Sequence, residues 1–300
     1  MFKSYKPLLK GKLFTKFATK FITILMKYNK SNNLLGWLTF SFAFFVYFLT
    51  IEPTVSFWDC GEYISTAYKL EVGHPPGAPL FQLLGRFFSL FANDVTNVAF
   101  MINLMSALCS AFTILFLFWT ITAMAKKMIL ISNESNELTT AQKIGAFGSG
   151  LVGALAYTFS DSFWFSATEG EVYSMSSTFT AITFWAILKW ESEADDKYAA
   201  RWIILIAYLI GLSIGVHLLN LLAIPALVFI YYFKKYEVSK LGIIKVFLLA
   251  VVITGGIQGV VIPQIVNFAK IFELFFVNTI GLPFNSGTII YFVLIFLGIF

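Results

Sequence analysis

Residues 97–124 read NVAFMINLMSALCSAFTILFLFWTITAM and contain no charged side chain. About 20 mostly apolar residues suffice for a helix to cross about 30 Å of hydrocarbon, so this stretch predicts a transmembrane helix. Between charged and turn-rich breaks on either side, seven further apolar stretches predict spans: 34–51, 144–160, 172–188, 202–216, 218–233, 243–262 and 288–300. The sequence thus predicts an all-α polytopic membrane protein with about eight spans.

The composition of the 300-residue chain supports this class. Apolar residues make up 58% and charged residues 12% of the chain, against about 45–50% and about 25% in soluble globular proteins. With a mean hydropathy of +0.80, these values exclude a soluble enzyme, a disordered protein and a nucleic-acid-binding domain, although the pI is near 9.0. The two cysteines are too few for a disulfide framework.

Lysine and arginine residues predict the orientation of the spans, because these residues concentrate in cytoplasmic loops. If the N-terminus is cytoplasmic and the spans alternate, 18 of the 21 lysine and arginine residues fall on the cytoplasmic side. The outer side keeps only Lys69, Arg86 and Lys270. We therefore expect a multi-pass protein of the cell inner membrane with a cytoplasmic N-terminus.

The two ends of the chain differ from the middle. Residues 1–33 form a basic segment, which is either an amphipathic helix on anionic lipid or an orientation signal, and residues 34–300 form the membrane domain. The last apolar stretch, 288–300, has 13 residues, fewer than the roughly 20 that a span needs. We expect the chain to be the N-terminal part of a longer enzyme. The alternative is a short protein whose last segment enters the membrane without crossing it.

The first outer loop carries a pair of acidic residues. If residues 58–70 are helical, Asp59 and Glu62 lie three positions apart on one face. Two carboxylates on one face are suited to acid–base chemistry or to binding a cation. The alternative is an ordinary connecting loop in which both acids are merely hydrated.

A rigid turn and an amphipathic stretch follow this pair. The prolines of HPPG, residues 74–77, end the preceding helix and hold His74 near the membrane interface. Apolar residues then recur with helical spacing over 79–91, with Arg86 among them. This pattern predicts an interfacial helix that lies along the bilayer.

A second group of polar residues lies on the predicted outer side. Glu169 and Glu171 precede the span at 172–188, where acidic side chains are costly unless solvated or paired. His217 lies between two apolar stretches, near the same side. Exposed loop carboxylates and a structural histidine are the alternative interpretations. No Walker motif or zinc-type spacing occurs, so the sequence predicts no ATP-driven motor in this chain.

The motifs FWDCGEY, VGHPPGAPLFQLLGRFF, ATEGEVYSMSS, GVHLLN and VNTIGLPFNSG, in this order, resemble those of a Bacteroidota multi-spanning membrane family of formerly unknown function. That family is similar to transmembrane protein O-mannosyltransferases and, more loosely, to other GT-C-like glycosyltransferases. The resemblance runs from about residue 34 to the end, and HPPG after an acidic pair is its most specific feature. It implies a GT-C-like helical bundle with an interfacial helix in the first outer loop.

The resemblance also implies an activity. A membrane glycosyltransferase of this type moves a sugar, with mannose as one candidate, from a polyprenyl-phosphate carrier to a hydroxyl acceptor on the outer face, here a protein Ser or Thr. Asp59 and Glu62 match the family's acidic pair and are the expected catalytic residues, with Asp59 preferred as the base. The residues expected to bind substrate are His74, Arg86, Glu169, Glu171 and His217. No metal ligand is assigned, and a divalent metal is left open as a cofactor beside the polyprenyl-phosphate-linked sugar.

Two other classes of protein compete with this interpretation. A transporter or flippase of a lipid-linked saccharide would use the same cavity without catalysis, but it needs polar residues on a path to both sides of the membrane. A non-catalytic scaffold would need neither the acidic pair nor the HPPG turn. The polar clusters of this chain lie on the predicted outer side only, which favours the enzyme.

Overall fold

The computed structural model describes residues 27–75, 77–132 and 137–299. Most of the basic segment predicted over residues 1–33 therefore lies outside the described residues.

The described residues form helices and no strand. In chain order the helices are α1 (Tyr28–Leu49), α2 (Cys60–Lys69), α3 (Pro79–Ser89), α4 (Val98–Ser132), α5 (Thr140–Thr158), α6 (Asp161–Thr168), α7 (Val172–Glu193), α8 (Ala200–Ile214), α9 (Ala223–Lys235), α10 (Lys240–Gly256), α11 (Ile262–Asn278) and α12 (Ser286–Ile299). Two 3₁₀ segments, Val95–Asn97 and Leu218–Leu222, and a π-helical segment, Ile257–Val261, adjoin them.

All eight stretches predicted as spans coincide with helices. Four helical stretches in the described residues are both long and apolar enough to cross a membrane: Tyr28–Leu49, Val95–Ser132, Leu218–Lys235 and Lys240–Asn278. Two more, Ala200–Ile214 and Ser286–Gly298, are apolar but shorter. The prediction of an all-α polytopic membrane protein is confirmed.

The chain beyond residue 240 is more helical than its pattern predicts. The predicted span ended at residue 262, but helix continues without a break to Asn278. Pro263, near the start of α11, has no N–H to donate, and the π-helical segment immediately before it adjusts the hydrogen-bond pattern at that point. The proline is therefore accommodated inside the helix instead of ending it.

The chain divides into two compact units, residues 1–220 and residues 221–300. In the first unit α4 is the central helix, and it packs against α1, α3, α5, α6 and α7. Its buried side chains include Ile102, Ile114 and Phe118, which are almost fully shielded from solvent. A helix that is apolar around its whole circumference is suited to such a central position.

Glycines permit the close packing of α1 and α5 against α4. A Cβ atom on Gly36 of α1 would overlap the indole of Trp119, and one on Gly150 of α5 would lie 2.5 Å from Cγ2 of Thr122. A hydrogen bond also joins α1 to α5: the Tyr47 hydroxyl donates to the Thr158 carbonyl at 3.0 Å. These contacts set the spacing of the bundle.

The first unit has two chemically different ends. We name as the acidic end the described residues of the segments 50–97, 159–171 and 215–220. These segments are in contact, because the Glu52 N–H donates to the Thr168 carbonyl and the Leu80 N–H donates to the Gly215 carbonyl. At the opposite end Lys127 pairs with Glu191 at 2.7 Å and Arg201 pairs with Glu193 at 2.6 Å. The up-and-down course of the long helices thus separates the loops into two groups, as the alternating spans predict.

A helix, α3, is present over the stretch for which the sequence predicts an interfacial helix. Its buried side includes Phe81, Gln82 and Gly85, which face the rest of the unit. Its other side exposes the large apolar side chains of Leu83 and Phe87, and Leu90 and Phe91, directly after the helix, are exposed as well. A short helix with one apolar exposed side is suited to the boundary between lipid and water.

Side-chain hydrogen bonds hold two of the loops between helices in the second unit. Between α9 and α10, the Tyr232 hydroxyl donates to the Glu237 carbonyl and accepts from the Ser239 N–H. Between α11 and α12, the Glu273 carboxylate accepts from the backbone N–H groups of Asn285 and Thr288. These bonds satisfy backbone groups at the ends of the helices.

The packing of α5 on α4 predicts opposite effects for two glycine substitutions. We expect Gly150→Ala to lower the free energy of unfolding by about 1–3 kcal/mol, because the new methyl group overlaps Thr122. The matched control is Gly148→Ala, where a Cβ meets nothing within 4 Å, and it should be neutral or stabilise by up to about 1 kcal/mol. Thermal unfolding of the purified protein in detergent measures both variants, and equal stabilities would contradict the described interface.

Candidate functional site

Asp59 and Glu62 lie at the start of α2, as the acidic pair in the sequence predicted. The helix begins at Cys60, slightly later than expected, so Asp59 occupies the N-cap position and Glu62 the first turn. Negative charge is favourable at a helix N-terminus. The Asp59 side chain makes no capping hydrogen bond, which leaves its carboxylate available to other groups.

The turn after α2 brings His74 back onto Glu62. The His74 backbone N–H donates to Oε1 of Glu62, and Nδ1 of its ring lies 3.1 Å from Oε2. Nε2 of the same ring lies 4.0 Å from Oδ2 of Asp59. The hydrogen bonds to the His74 backbone and ring lower the pKa of Glu62, and the Glu62 carboxylate in turn raises that of His74.

The backbone between α2 and α3 takes the conformations that this contact requires. Leu70 ends α2 in the left-handed region, with φ = 55°. The Gly77 N–H donates to the His74 carbonyl at 2.8 Å and Gly77 has φ = 88°, a value that favours glycine. The hydrogen bond from Gly77 to His74 therefore closes a tight turn, and His74 lies over the first turn of α2.

Glu169 and Glu171 approach the same region from the connection between α6 and α7. Only 3% and 6% of their surfaces are exposed. Gly170, between them, packs so closely that a Cβ there would lie 2.9 Å from Oδ1 of Asn103 and 3.0 Å from Ile64. The absent side chain at Gly170 allows both acids to approach α2 and α4.

Burial changes the acidity of these two carboxyl groups. Desolvation raises the pKa of Glu169, while the Ser56 hydroxyl and the Cys60 thiol oppose this rise. Desolvation, followed by the charges of Glu169 and Asp59, raises the pKa of Glu171 to about 7. Glu171 is therefore partly protonated near neutral pH, in contrast to Glu62.

Tyr63 lies between the two acidic clusters. Its ring is 5.8 Å from that of His74 and 5.3 Å from that of Phe81. Burial and the nearby charges, that of Glu171 first, raise the pKa of Tyr63 to about 12, so its hydroxyl stays protonated. A protonated phenol at this position is available as a hydrogen-bond donor.

His217 reaches the edge of this group. Its ring lies 5.5 Å from that of Tyr173, which follows Glu171 by two residues. Burial lowers the pKa of His217, and its Nδ1 accepts a hydrogen bond from the Leu219 N–H. The neutral ring therefore carries its proton on Nε2, which can donate to a substrate oxygen.

Arg86 lies apart from the acidic pair. Its guanidinium donates to the Tyr68 carbonyl at 2.7 Å and stands over the Tyr68 ring, near the last turn of α2. Glu62 and Asp59 are toward the other end of that helix, about 9 Å and about 14 Å from Tyr68 along the axis at about 1.5 Å per residue. The structure thus brings together the two acid pairs and His74, with His217 at their edge, but not Arg86.

Sequence reasoning missed the residue that joins these segments. Asn103, fully buried in α4, donates through Nδ2 to the carbonyls of Glu52 at 2.6 Å and Thr54 at 3.0 Å. It also touches Gly170. An amide inside an apolar span is costly without partners, and this was the available signal.

The region that holds the candidate site is also the region in which the chain is similar to a known family. A family model described as "Protein O-mannosyl-transferase TMEM260 N-terminal domain" matches residues 59–240, which include all the candidate site residues. No solved structure gives a significant match to the chain.

Two relatives with this description are partial matches. A protein O-mannosyl-transferase tmem260 of Dictyostelium discoideum is 32% identical over 138 residues, which are 46% of this chain and 14% of that protein. The protein O-mannosyl-transferase TMEM260 of Mus musculus is 27% identical over 170 residues, which are 56% of this chain and 21% of that protein. The matches therefore span about one seventh and one fifth of the relatives' lengths.

The role of Asn103 is testable by substitution. We expect Asn103→Leu to lower the free energy of unfolding by about 2–3 kcal/mol or more, because it leaves the Glu52 and Thr54 carbonyls without their donor. Cys60 is fully buried in the unmodified protein, and in the variant it should become reactive toward a thiol reagent as the loop that contains Glu52 and Thr54 loosens. Thermal unfolding and peptide mass spectrometry of the modified thiol measure the two effects.

Ser106→Ala is the matched control on the same helix. Ser106 is as buried as Asn103, but its hydroxyl has no hydrogen-bond partner among the described residues. Its removal should cost little. Similar losses of stability in both variants would show that the Asn103 amide does not anchor the loop.

Proposed function

The chain belongs to the family of the protein O-mannosyl-transferase TMEM260 N-terminal domain, and from this membership we propose that it is a membrane glycosyltransferase. It transfers a sugar, mannose by preference, from a polyprenyl-phosphate carrier to the hydroxyl of a protein Ser or Thr. The observation that carries the proposal is the convergence of Asp59, Glu62, His74 and Glu171 at one end of the helical unit.

Asp59 is the proposed catalytic base. Both oxygens of Glu62 accept hydrogen bonds from His74, whereas the Asp59 carboxylate lies 4.0 Å from its nearest charged partner and is more than half exposed. A base must have an oxygen within reach of the acceptor hydroxyl. Of the two acids, Asp59 meets this condition, and Glu62 positions His74.

The proposed reaction is a single displacement at the anomeric carbon. Asp59 takes the proton of the acceptor hydroxyl, and the acceptor oxygen forms the new bond to the anomeric carbon. The bond between that carbon and the phosphate oxygen breaks, and the lipid phosphate leaves with the electron pair. His217, a donor through Nε2, is the proposed contact for the phosphate, whereas Arg86, bound to Tyr68 at the far end of α2, is too distant for this contact.

The buried carboxyl groups have a different proposed role. A Glu171 carboxyl with a pKa of about 7 both accepts and donates hydrogen bonds near neutral pH, as recognition of sugar hydroxyls requires. Glu169, beside it, completes the sugar-binding wall in this proposal. The exposed apolar side of α3 is suited to the polyprenyl chain of the donor.

The acidic end of the first unit faces the outside of the cell inner membrane in this proposal, and the N-terminus is cytoplasmic. Its support is the position of the basic residues, because Lys126, Lys127, Lys189 and Arg201 all lie toward the opposite end. This sidedness gives the site access to secreted acceptor polypeptides.

Replacement of the proposed base predicts a loss of transfer without a loss of fold. We expect Asp59→Asn to reduce transfer by about 10²-fold or more, because the amide has the same size and cannot take the proton. The assay incubates the purified protein with a labelled polyprenyl-phosphate sugar and a Ser/Thr peptide. Glu71→Gln is the control, since Glu71 is an exposed acid of the same loop whose one ion pair among the described residues is with Lys69, at 4.0 Å.

Two outcomes of this assay would overturn the assignment. Full activity of both Asp59→Asn and Glu62→Gln would remove catalysis from the acidic pair. Absence of transfer by the unmodified protein, with movement of the lipid-linked saccharide across vesicle membranes, would favour a flippase.

The proposed sidedness predicts a pattern of chemical labelling. A cysteine introduced by Asp195→Cys, at the exposed turn after α7, should react with an impermeant thiol reagent only after the membrane is permeabilised. A cysteine introduced by Glu71→Cys should react in intact cells. The native Cys60 is buried and Cys109 is half-buried, so background labelling should be low. Labelling of residue 195 from outside would reverse the orientation.

A further inference from the structure

Gln82 is a polar residue on the buried side of α3, where only 5% of its surface is exposed. Its Nε2 donates to the hydroxyl oxygen of Thr66 at 2.7 Å, whereas its Oε1 has no hydrogen-bond partner among the described residues. A buried acceptor without a donor is unfavourable. A methionine has about the same length and lacks this acceptor, so packing alone does not explain an amide at this position.

Thr66 fixes the orientation of the amide. The Thr66 hydroxyl donates its one hydrogen to the Glu62 carbonyl, at 2.6 Å. The hydroxyl oxygen is then left to accept, so the part of the Gln82 amide that faces it must be the donor, Nε2. A directed chain of hydrogen bonds therefore runs from α3 through Thr66 to the first turn of α2.

The turn that follows α2 rests on this chain. The Glu71 N–H donates to the Thr66 carbonyl at 2.9 Å, which fixes the start of the turn. A Cβ on Gly73 would meet three side-chain atoms: Oε1 of Glu62 at 3.1 Å, Nε2 of Gln82 at 3.6 Å and Oγ1 of Thr66 at 3.9 Å. The backbone at Gly73 is therefore supported by the Gln82 amide on one side and by the Glu62 carboxylate on the other.

The position of Gly73 decides what the next residue, His74, contacts. The backbone N–H and Nδ1 of His74 both meet the Glu62 carboxylate, the latter at 3.1 Å, and Nε2 lies 4.0 Å from Oδ2 of Asp59. The hydrogen bond to Glu62, followed by the charges of Asp59 and Glu171, raises the pKa of His74. A displacement of the turn by about 1 Å is enough to break the hydrogen bond to Glu62.

We propose that Gln82 is a positioning residue, whose amide supports Gly73 and so keeps the turn close enough to α2 for His74 to bond to Glu62. If the proposed transfer also holds, on which this clause rests, Gln82 thereby keeps the imidazole beside Asp59, the proposed base. Gln82 acts through the turn and not on the substrate.

NMR titration of the histidine rings in the purified whole protein tests the proposal without an activity assay. The chain contains two histidines, His74 and His217, so a His217→Asn background identifies the His74 signal. We expect Gln82→Met to lower the titration midpoint of His74 toward its ordinary value of 6.5, because the ring loses the Glu62 carboxylate. The Tm should stay equal or rise, because the unpartnered Oε1 is removed.

Variants of α2 separate positioning from a general loss of packing. Thr66→Val removes the hydroxyl at nearly constant shape and should lower the His74 midpoint, whereas Thr66→Ser keeps the hydroxyl and should preserve the midpoint. Ser65→Ala is the matched control. The Ser65 hydroxyl donates to the same Glu62 carbonyl at 3.0 Å, but Ser65 is exposed, so its loss should leave the midpoint unchanged.

Two results would overturn the positioning role. One is an unchanged His74 midpoint in folded Gln82→Met, whatever its Tm, and the other is an equal shift in Ser65→Ala. If Gln82→Met does not fold, the comparison of Thr66→Val with Thr66→Ser decides, and equal midpoints in these two variants would overturn the proposal.

Transfer assays distinguish the failure of this proposal from the failure of the proposed function. We expect Gln82→Met to lower kcat by about 10-fold or more with little change in KM, because a misplaced group costs rate even when binding is retained. A shifted His74 midpoint without any transfer by the unmodified protein would leave the positioning role standing and remove the glycosyltransferase assignment. Full transfer by a variant whose His74 midpoint has fallen would overturn the clause that links Gln82 to the base.

Discussion

The buried junction between Asn103 and Gly170 is the contact on which the rest of the acidic end depends. Asn103 holds the start of the first loop through two carbonyls, and Gly170 packs directly on its amide oxygen. Inside an apolar bundle each backbone carbonyl needs a donor, so this one side chain determines where two separate loops can lie. The segment that precedes Asp59 and the segment that carries Glu169 and Glu171 therefore both lie against the same residue of α4.

Electrostatics at this junction follow from how deeply each carboxylate is buried. Glu62 is half-buried and hydrogen-bonded to His74, which lowers its pKa, whereas Glu171 is buried beside other acids, which raises its pKa to about 7. Groups of the same chemistry thus acquire different protonation states. The acidic end therefore holds carboxyl groups whose pKa values are shifted in opposite directions.

The two-ended organisation of the first unit links packing to the membrane. Glycines such as Gly36 and Gly150 let α1 and α5 approach α4 closely, so the bundle is narrow and its loops meet at two ends. One end collects acids and aromatic side chains, and the other collects ion pairs of lysine and arginine. The exposed apolar side of α3 lies at the acidic end, next to the turn that carries His74.

The sequence by itself determined the class, the positions of the helices and most members of the site. Long, uninterrupted apolar stretches indicate segments that lie in the hydrocarbon of the membrane, where a chain segment is helical. All eight predicted spans are accordingly helical. The acidic pair, HPPG and Glu169 with Glu171 were recognisable because charged or rigid residues stand out beside apolar spans. Only the tertiary structure decided which of these residues meet: it joined His74 to Glu62 and placed Arg86 at the far end of α2. It also extended helix past Pro263. Contacts between residues distant in the chain depend on side-chain packing and on the burial of single polar groups such as Asn103, and neither leaves a periodic signal in one sequence.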